Sequence, residues 1–176
     1  MTKLATMLRG GLAAALLLAA AARADEPVEG VTWPGVGLDP SVPTLQAVVG
    51  HAPGTRITSV EGTLAYLRAL ADALPERTRL VEYARSWEGR PLVYLLVGTP
   101  EVIGRLDGIK AGMQALADPA ALSGGEIDAL IDELPAVVWL AYAVHGNEIS
   151  PTDAALQTAY HLLAARGEPF DRIRED

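Results

Sequence analysis

Hydrophobic positions between residues 58 and 74 recur every three or four residues, which is the spacing of one face of an α-helix. The leucines on this face are Leu64, Leu67, Leu70 and Leu74. Ser59 stands where a helix N-cap is expected, and Pro75 directly follows the last periodic position. The pattern therefore predicts a helix from about residue 60 to residue 74.

Three further apolar runs have the length and composition of β-strands. Residues 79–85 and 91–98 are separated only by residues 86–90, which predicts two strands joined by a tight connection. The run 91–98 is apolar on both faces, as expected of a central strand in a sheet. Residues 137–144 form the third predicted strand and end directly before His145.

Capping and stop signals predict four more helices. They cover residues 45–49, 100–117, 124–134 and 150–166. Ser123 with Glu126 has the spacing of a capping box, and so does Ser150 with Asp153. Glycines 104, 108 and 112 recur every four residues, a spacing that allows close helix packing. The order β-β-α-α-β-α predicts an α/β fold in which helices sandwich a mixed sheet.

The chain divides into three predicted parts. Residues 1–24 have a basic start, an apolar stretch of about a dozen residues and an Ala-Arg-Ala site, which together predict a secretory signal peptide. Residues 25–57 are a Pro/Gly-rich leader that either lies over the domain or stays mobile. Residues 58–176 form the folded domain. The last seven residues look like the start of another element, so we expect a truncated sequence.

Charge and composition exclude several functions. Removal of residues 1–24 takes away three basic residues and no acidic one, which changes the net charge from −8 to −11. Such a surface disfavours nucleic acid and anionic membranes, and the apolar stretch is short for a membrane span. We therefore expect a secreted or periplasmic protein that binds no nucleic acid and is not stably inserted in a membrane. With no cysteine and no Gly-x-Ser-x-Gly elbow, covalent hydrolase chemistry has no candidate nucleophile.

The candidate chemistry lies at the end of the third predicted strand. His145 is followed three residues later by Glu148, and a helix start comes directly after. An imidazole and a carboxylate are two members of a His₂Glu zinc set, which leaves a coordination position for water. Gly146 is expected to let the backbone turn sharply between them. The alternative is a hydrogen-bonded His at a strand end and a Glu that favours the helix N-terminus. Spacing alone leaves both interpretations open.

Two nearby side chains are less suitable as ligands. Asp153 is expected to pair with Ser150 in a capping box. His161 lies in the middle of the last predicted helix beside leucines, so we expect a surface or packing histidine.

Two segments resemble a known family. Residues 86–92, Ser-Trp-Glu-Gly-Arg-Pro-Leu, are similar to the S-x-E-G-R-P-[LI] segment of zinc carboxypeptidases of the M14 type. Residues 143–150, Ala-Val-His-Gly-Asn-Glu-Ile-Ser, resemble the strand end that supplies the first two zinc ligands of these enzymes. Both occur in the family's order, and the resemblance covers roughly residues 58–176, the N-terminal part of the catalytic domain.

The resemblance implies a zinc metallocarboxypeptidase that acts on the C-termini of peptides or proteins, with Zn²⁺ bound by His145 and Glu148. The family's third zinc histidine and general-base glutamate would lie after residue 176, so no catalytic residue is assigned and the chain alone is expected to be inactive. The His-Gly-Asn-Glu sequence at residues 145–148, with Asn147 in its third position, also resembles a branch of zinc amidohydrolases that deacylate N-acyl amino acids. The segment 86–91 argues against this alternative. A non-catalytic binding domain on the same scaffold is the third possibility.

The signal peptide leads to a first prediction. N-terminal sequencing of the exported protein should begin at Asp25, directly after the Ala22-Arg23-Ala24 site. A mature protein that keeps Met1 and stays with the membrane would contradict the secretory interpretation.

Overall fold

The computed structural model describes residues 33–175. Its elements, in chain order, are β1 (Gly37–Leu38), α1 (Leu45–Val49), α2 (Val60–Ala73), β2 (Thr78–Arg85), β3 (Pro91–Val97), α3 (Pro100–Gly104), α4 (Leu106–Ala117), a 3-10 turn (Pro119–Ala121), α5 (Gly124–Glu133), α6 (Ser150–Ala164), β4 (Ala165–Arg166) and α7 (Phe170–Glu175). Helices combined with small antiparallel sheets are compatible with the predicted α/β class.

Helix α2 forms as its sequence predicts and carries the centre of the core. The Ser59 hydroxyl accepts a hydrogen bond from the Gly62 N–H at 3.1 Å and so caps the helix. Tyr66 and Leu70 project from α2 into a buried cluster. Its other buried members are Val42, Leu45, Leu74, Leu156, Leu163 and Ala164. The core therefore joins α2, α6 and the segment around α1.

The second half of the predicted leader packs into this core. Val42 and Leu45 are almost completely buried, and β1 pairs antiparallel with β4. Helix α1 has the predicted bounds, with Thr44 as N-cap and Gly50 in the left-handed conformation at φ 80°. The Tyr66 hydroxyl donates to the Pro43 carbonyl at 3.1 Å. This part of the leader thus lies on the domain and contributes apolar surface to it.

Strands β2 and β3 form the predicted hairpin. The Ser86 N–H donates to the Arg90 carbonyl at 2.9 Å, and the Gly89 N–H donates to the Ser86 carbonyl at 2.8 Å. Gly89 has φ 77°, which a glycine adopts without strain. The Ser86 hydroxyl also accepts from the Arg90 N–H. Ser86 and Gly89 therefore specify the turn at residues 86–90.

The long helix predicted for residues 100–117 is instead two helices, α3 and α4, with a break at Arg105. Gly104 weakens helix formation at this point, and the Arg105 guanidinium donates to the Glu133 carbonyl of α5 at 3.1 Å. Of the three spaced glycines, only Gly112 makes a close packing contact. A Cβ at Gly112 would lie 2.9 Å from Leu134 Cδ2, whereas Gly104 and Gly108 face open space.

The predicted third strand is wrong. Residues 137–144 form no strand and have no strand partner among the described residues, and β3 pairs with β2 alone there. All pairings within residues 33–175 are antiparallel, so neither the mixed sheet nor a central position for β3 is observed there. Ala143 has φ 55°, a left-handed conformation that a regular β-strand does not contain. A strand also needs a partner for its N–H and C=O groups.

The last predicted helix ends earlier than expected. Helix α6 stops at Ala164, and the next two residues form β4 before Gly167, whose φ is 82°. None of the helices found in residues 33–175 has both the length and the apolar character needed to cross a membrane.

Tyr66 provides a test of how the leader is attached. Tyr66→Phe should lower the free energy of unfolding at neutral pH by about 0.5–1.5 kcal/mol, because the Pro43 carbonyl loses its donor. Burial, with a smaller contribution from Tyr160, raises the pKa of Tyr66 above its ordinary value. Above about pH 10 the unfolded tyrosine ionises while the folded one stays protonated, so wild-type stability falls there. The difference between wild type and variant should therefore shrink as the pH rises above 10.

Urea unfolding across this pH range measures both effects. Tyr83→Phe is the matched control, because Tyr83 is exposed and lies on the hairpin away from the core. A Tyr66→Phe protein that is as stable as the control at pH 7 would contradict the proposed attachment.

Candidate metal centre

His145 and Glu148 lie at the two ends of one backbone turn. The Glu148 N–H donates to the His145 carbonyl at 3.0 Å, with Gly146 and Asn147 between them. Both side chains are exposed. The turn directly precedes α6, so the structure brings the two predicted ligands together in sequence order, next to a helix start.

Gly146 was predicted to allow a sharp turn between His145 and Glu148, but the turn does not require a glycine at this position. Gly146 does not have a positive φ, and a Cβ there would meet nothing within 4 Å. The left-handed residue of this region is Ala143, two positions before His145. The change of chain direction thus begins before the first candidate ligand.

Two side-chain contacts hold the segment before the turn. The ring of Trp139 packs edge-on against Tyr94 of β3, with 5.7 Å between centroids. Tyr142 Oη lies 2.8 Å from Thr158 Oγ1 on α6, and Thr158 itself donates to the Ala154 carbonyl, so Tyr142 is the donor. The segment therefore bridges the hairpin and α6 without joining the sheet.

Asp153 has a different partner from the one predicted. The N-cap of α6 is Ile149, no side chain caps this helix, and Ser150 is already helical. Asp153 Oδ1 instead accepts a 2.5 Å hydrogen bond from the hydroxyl of Thr58, which is buried. Since 95 residues separate the two partners, no local sequence signal indicates this contact. Asp153 anchors the first turn of α6 to Thr58, which directly precedes the N-cap of α2.

His161 is a packing histidine, as predicted. Its Nε2 accepts from the Trp33 N–H at 3.1 Å, and its Nδ1 lies 2.8 Å from the Gln157 carbonyl. Nδ1 therefore carries the proton in a neutral ring. The ring also stacks with Phe170 at a centroid distance of 6.1 Å. Both nitrogens are occupied, which leaves none for a metal.

Within residues 33–175, no three side chains of His, Cys, Asp or Glu are grouped closely enough to hold a metal ion. His145 and Glu148 are thus a pair of zinc-compatible donors without a third protein donor from this part of the chain. A neutral imidazole and a carboxylate are both usual zinc ligands. The donor types fit the metal, and the ligand number is incomplete.

Comparison with models of known protein families shows to which family the chain belongs. A family model described as zinc carboxypeptidase matches residues 63–176, more than half of the chain. The chain belongs to the zinc carboxypeptidase family. The resemblance seen in the two sequence motifs is confirmed, and both motifs lie inside the matched range. Searches of curated proteins and of solved structures found no match.

The Thr58–Asp153 contact gives a prediction that separates a structural carboxylate from a metal ligand in this zinc carboxypeptidase domain. Asp153→Ala should lower the free energy of unfolding by about 1–3 kcal/mol, because the buried Thr58 hydroxyl loses a charged acceptor. Zinc binding should not change. Thr58→Val should have a similar cost, and the double variant should cost clearly less than the sum of the two.

Chemical denaturation of the four proteins completes this double-mutant cycle. Asp128→Ala on exposed helix α5 is the control for loss of an aspartate. Strictly additive effects of the Thr58 and Asp153 changes would show that the two side chains do not interact.

Proposed function

We propose that this protein is a zinc-dependent carboxypeptidase that hydrolyses the last peptide bond of peptide or protein substrates, with His145 and Glu148 as two of its zinc ligands. Membership of the zinc carboxypeptidase family carries this proposal. The location of both donors in one exposed turn beside α6 supports it.

The chemistry of the pair suits a hydrolytic metal. Bound zinc lowers the pKa of a coordinated water and polarises a carbonyl oxygen. The chain's own contribution is to present an imidazole nitrogen and a carboxylate from the same turn. Because both side chains are exposed, a metal reaches them without the cost of burying unpaired charge.

Side-chain hydrogen bonds before and after the turn attach it to neighbouring helices. Before it, Tyr142 is hydrogen-bonded to α6 through Thr158. After it, Asp153 ties the first turn of α6 to Thr58. A ligand pair on a supported turn loses less conformational entropy when it binds metal than a pair on a free loop would.

We expect the remaining ligand and the general base to lie outside residues 33–175, where no group that could hold a metal is found. For this reason we expect the 176-residue chain to bind zinc weakly and to release no C-terminal amino acid by itself. We also propose export of the protein to the periplasm or the extracellular space, where it would meet peptide substrates.

A zinc titration against a chromophoric chelator tests the ligand assignment on the chain itself. Glu148→Gln keeps the size of the side chain and removes its charge. Loss of a residue that merely orients a ligand weakens metal binding by 10–100-fold, so loss of the ligand should weaken it by roughly 100-fold. Glu101→Gln, at an exposed position in the first turn of α3, is the matched control and should bind zinc like the wild type. Equal zinc affinity in wild type and Glu148→Gln would show that this carboxylate is not a ligand.

Hydrolysis assays on a protein form with a complete zinc site test the substrate class. This form should release the terminal residue of peptides with a free C-terminus and leave N-acyl amino acids intact. The reverse preference would indicate the deacylase alternative. Zinc binding without hydrolysis of either class would indicate a binding domain.

A further inference from the structure

A charged cavity lies at the C-terminal end of α6. Its volume is about 250 Å³, and the charged residues that line it are Asp39, Arg77, Arg166, Asp171 and Arg174. Three guanidinium groups thus face two carboxylates, in a protein whose overall net charge is −8. The cavity is therefore a local positive site on an acidic molecule. We call it the arginine cavity.

The two carboxylates are already paired. Arg166 Nη2 lies 2.5 Å from Asp39 Oδ2, and Arg174 forms an ion pair with Asp171. Arg77 forms no ion pair within residues 33–175, although the carboxylates of Glu76 and Asp39 are close enough to attract its charge. Of the three arginines that line the cavity, Arg77 is the one with no direct ion pair in the described part of the chain.

Capping of α6 does not account for all of this charge. Arg77 donates to the Leu163 carbonyl at 3.1 Å, and Arg174 donates to the Leu162 and Ala165 carbonyls. The end of a helix carries only about half a negative charge. After the two ion pairs are formed, a full positive charge on Arg77 faces about half a negative charge, so an excess remains.

Arg77 and Arg166 both line the cavity, and each can donate further hydrogen bonds. A guanidinium has five N–H donors, and the hydrogen bonds of Arg77 and Arg166 within residues 33–175 each use one Nη. Arg77 is half-buried. Burial and then the neighbouring Arg174 lower the pKa of Arg77 from its ordinary value, and the carboxylates of Glu76 and Asp39 offset only part of this effect.

We propose that the arginine cavity binds a small oxyanion, a phosphate or a carboxylate, with Arg77 as its principal contact and Arg166 as a second one. A guanidinium presents two parallel N–H groups that match a pair of anionic oxygens. A volume of about 250 Å³ is enough for inorganic phosphate or a small carboxylic acid.

The arginine cavity is separate from the candidate metal centre. Helix α6 has 15 residues and is therefore about 22 Å long, with His145 and Glu148 before its first turn and the cavity at its other end. An anion here would contact residues near β1, β4 and α7. It would reduce the repulsion between Arg77 and Arg174 and so stabilise the attachment of the leader and of α7 to α6.

Thermal unfolding in phosphate, compared with sodium chloride of equal ionic strength, tests the proposal with inorganic phosphate as the probe. The melting temperature of the wild type should rise by about 3–6 °C when phosphate is at ten times its Kd. Arg77→Gln and Arg166→Gln should each lose most of this rise. Arg79→Gln, which removes an exposed charge from β2, is the matched control and should keep it.

The compared quantity is the rise caused by the anion, not the melting temperature itself, because Arg77→Gln also removes a cap of α6. If that variant does not fold, Arg166→Gln and isothermal titration of the wild type decide the question. A parallel series in sodium acetate distinguishes a phosphate site from a carboxylate site. No rise in either anion, or an equal rise in Arg166→Gln and wild type, would overturn the proposal.

Discussion

Leu156 and Leu163 of α6 are almost completely buried beside Tyr66 and Leu70 of α2, and this contact positions α6 in the domain. The turn with His145 and Glu148 precedes α6, and the arginine cavity lies at its C-terminal end. The locations of both sites therefore depend on this packing. Each fully buried leucine contributes about 1.5–3 kcal/mol relative to an exposed one. Val42 and Leu45 of the leader close the same cluster. Loss of any of these side chains would loosen the whole arrangement rather than one site.

The segment before the turn with His145 and Glu148 is held quite differently. Residues 137–144 expose large apolar side chains, among them Val138 and Val144, each 77 % exposed. Two contacts attach it: the Trp139 ring packs against Tyr94, and the Tyr142 hydroxyl is hydrogen-bonded to Thr158. Contiguous exposed apolar surface of this kind usually marks an interaction site. The turn with His145 and Glu148 is therefore well supported by α6, which follows it, and weakly supported by residues 137–144, which precede it.

Charge is also distributed unevenly along α6. Its first turn carries Asp153, whose carboxylate is held by Thr58, and the residues directly before it carry the zinc-compatible pair. Its C-terminal end is surrounded by arginines that donate to its last carbonyls. This orientation agrees with the helix dipole, which favours anions at the N-terminus and cations at the C-terminus. It separates a candidate cation site from a candidate anion site by the length of one helix.

Local patterns were sufficient for much of this molecule. Helices α1 and α2, the β2–β3 hairpin and the α5 capping box follow from residues a few positions apart, such as Ser123 and Glu126 or Ser86 and Gly89. The His145–Glu148 pair and the family are likewise readable from short motifs. Other features needed the tertiary structure, because their partners are distant in sequence. The bond between Thr58 and Asp153, the leader's place in the core and the arginines gathered around α6 depend on chain packing. The run 137–144 has strand composition, but a strand exists only when another strand satisfies its backbone groups, and composition cannot supply that partner.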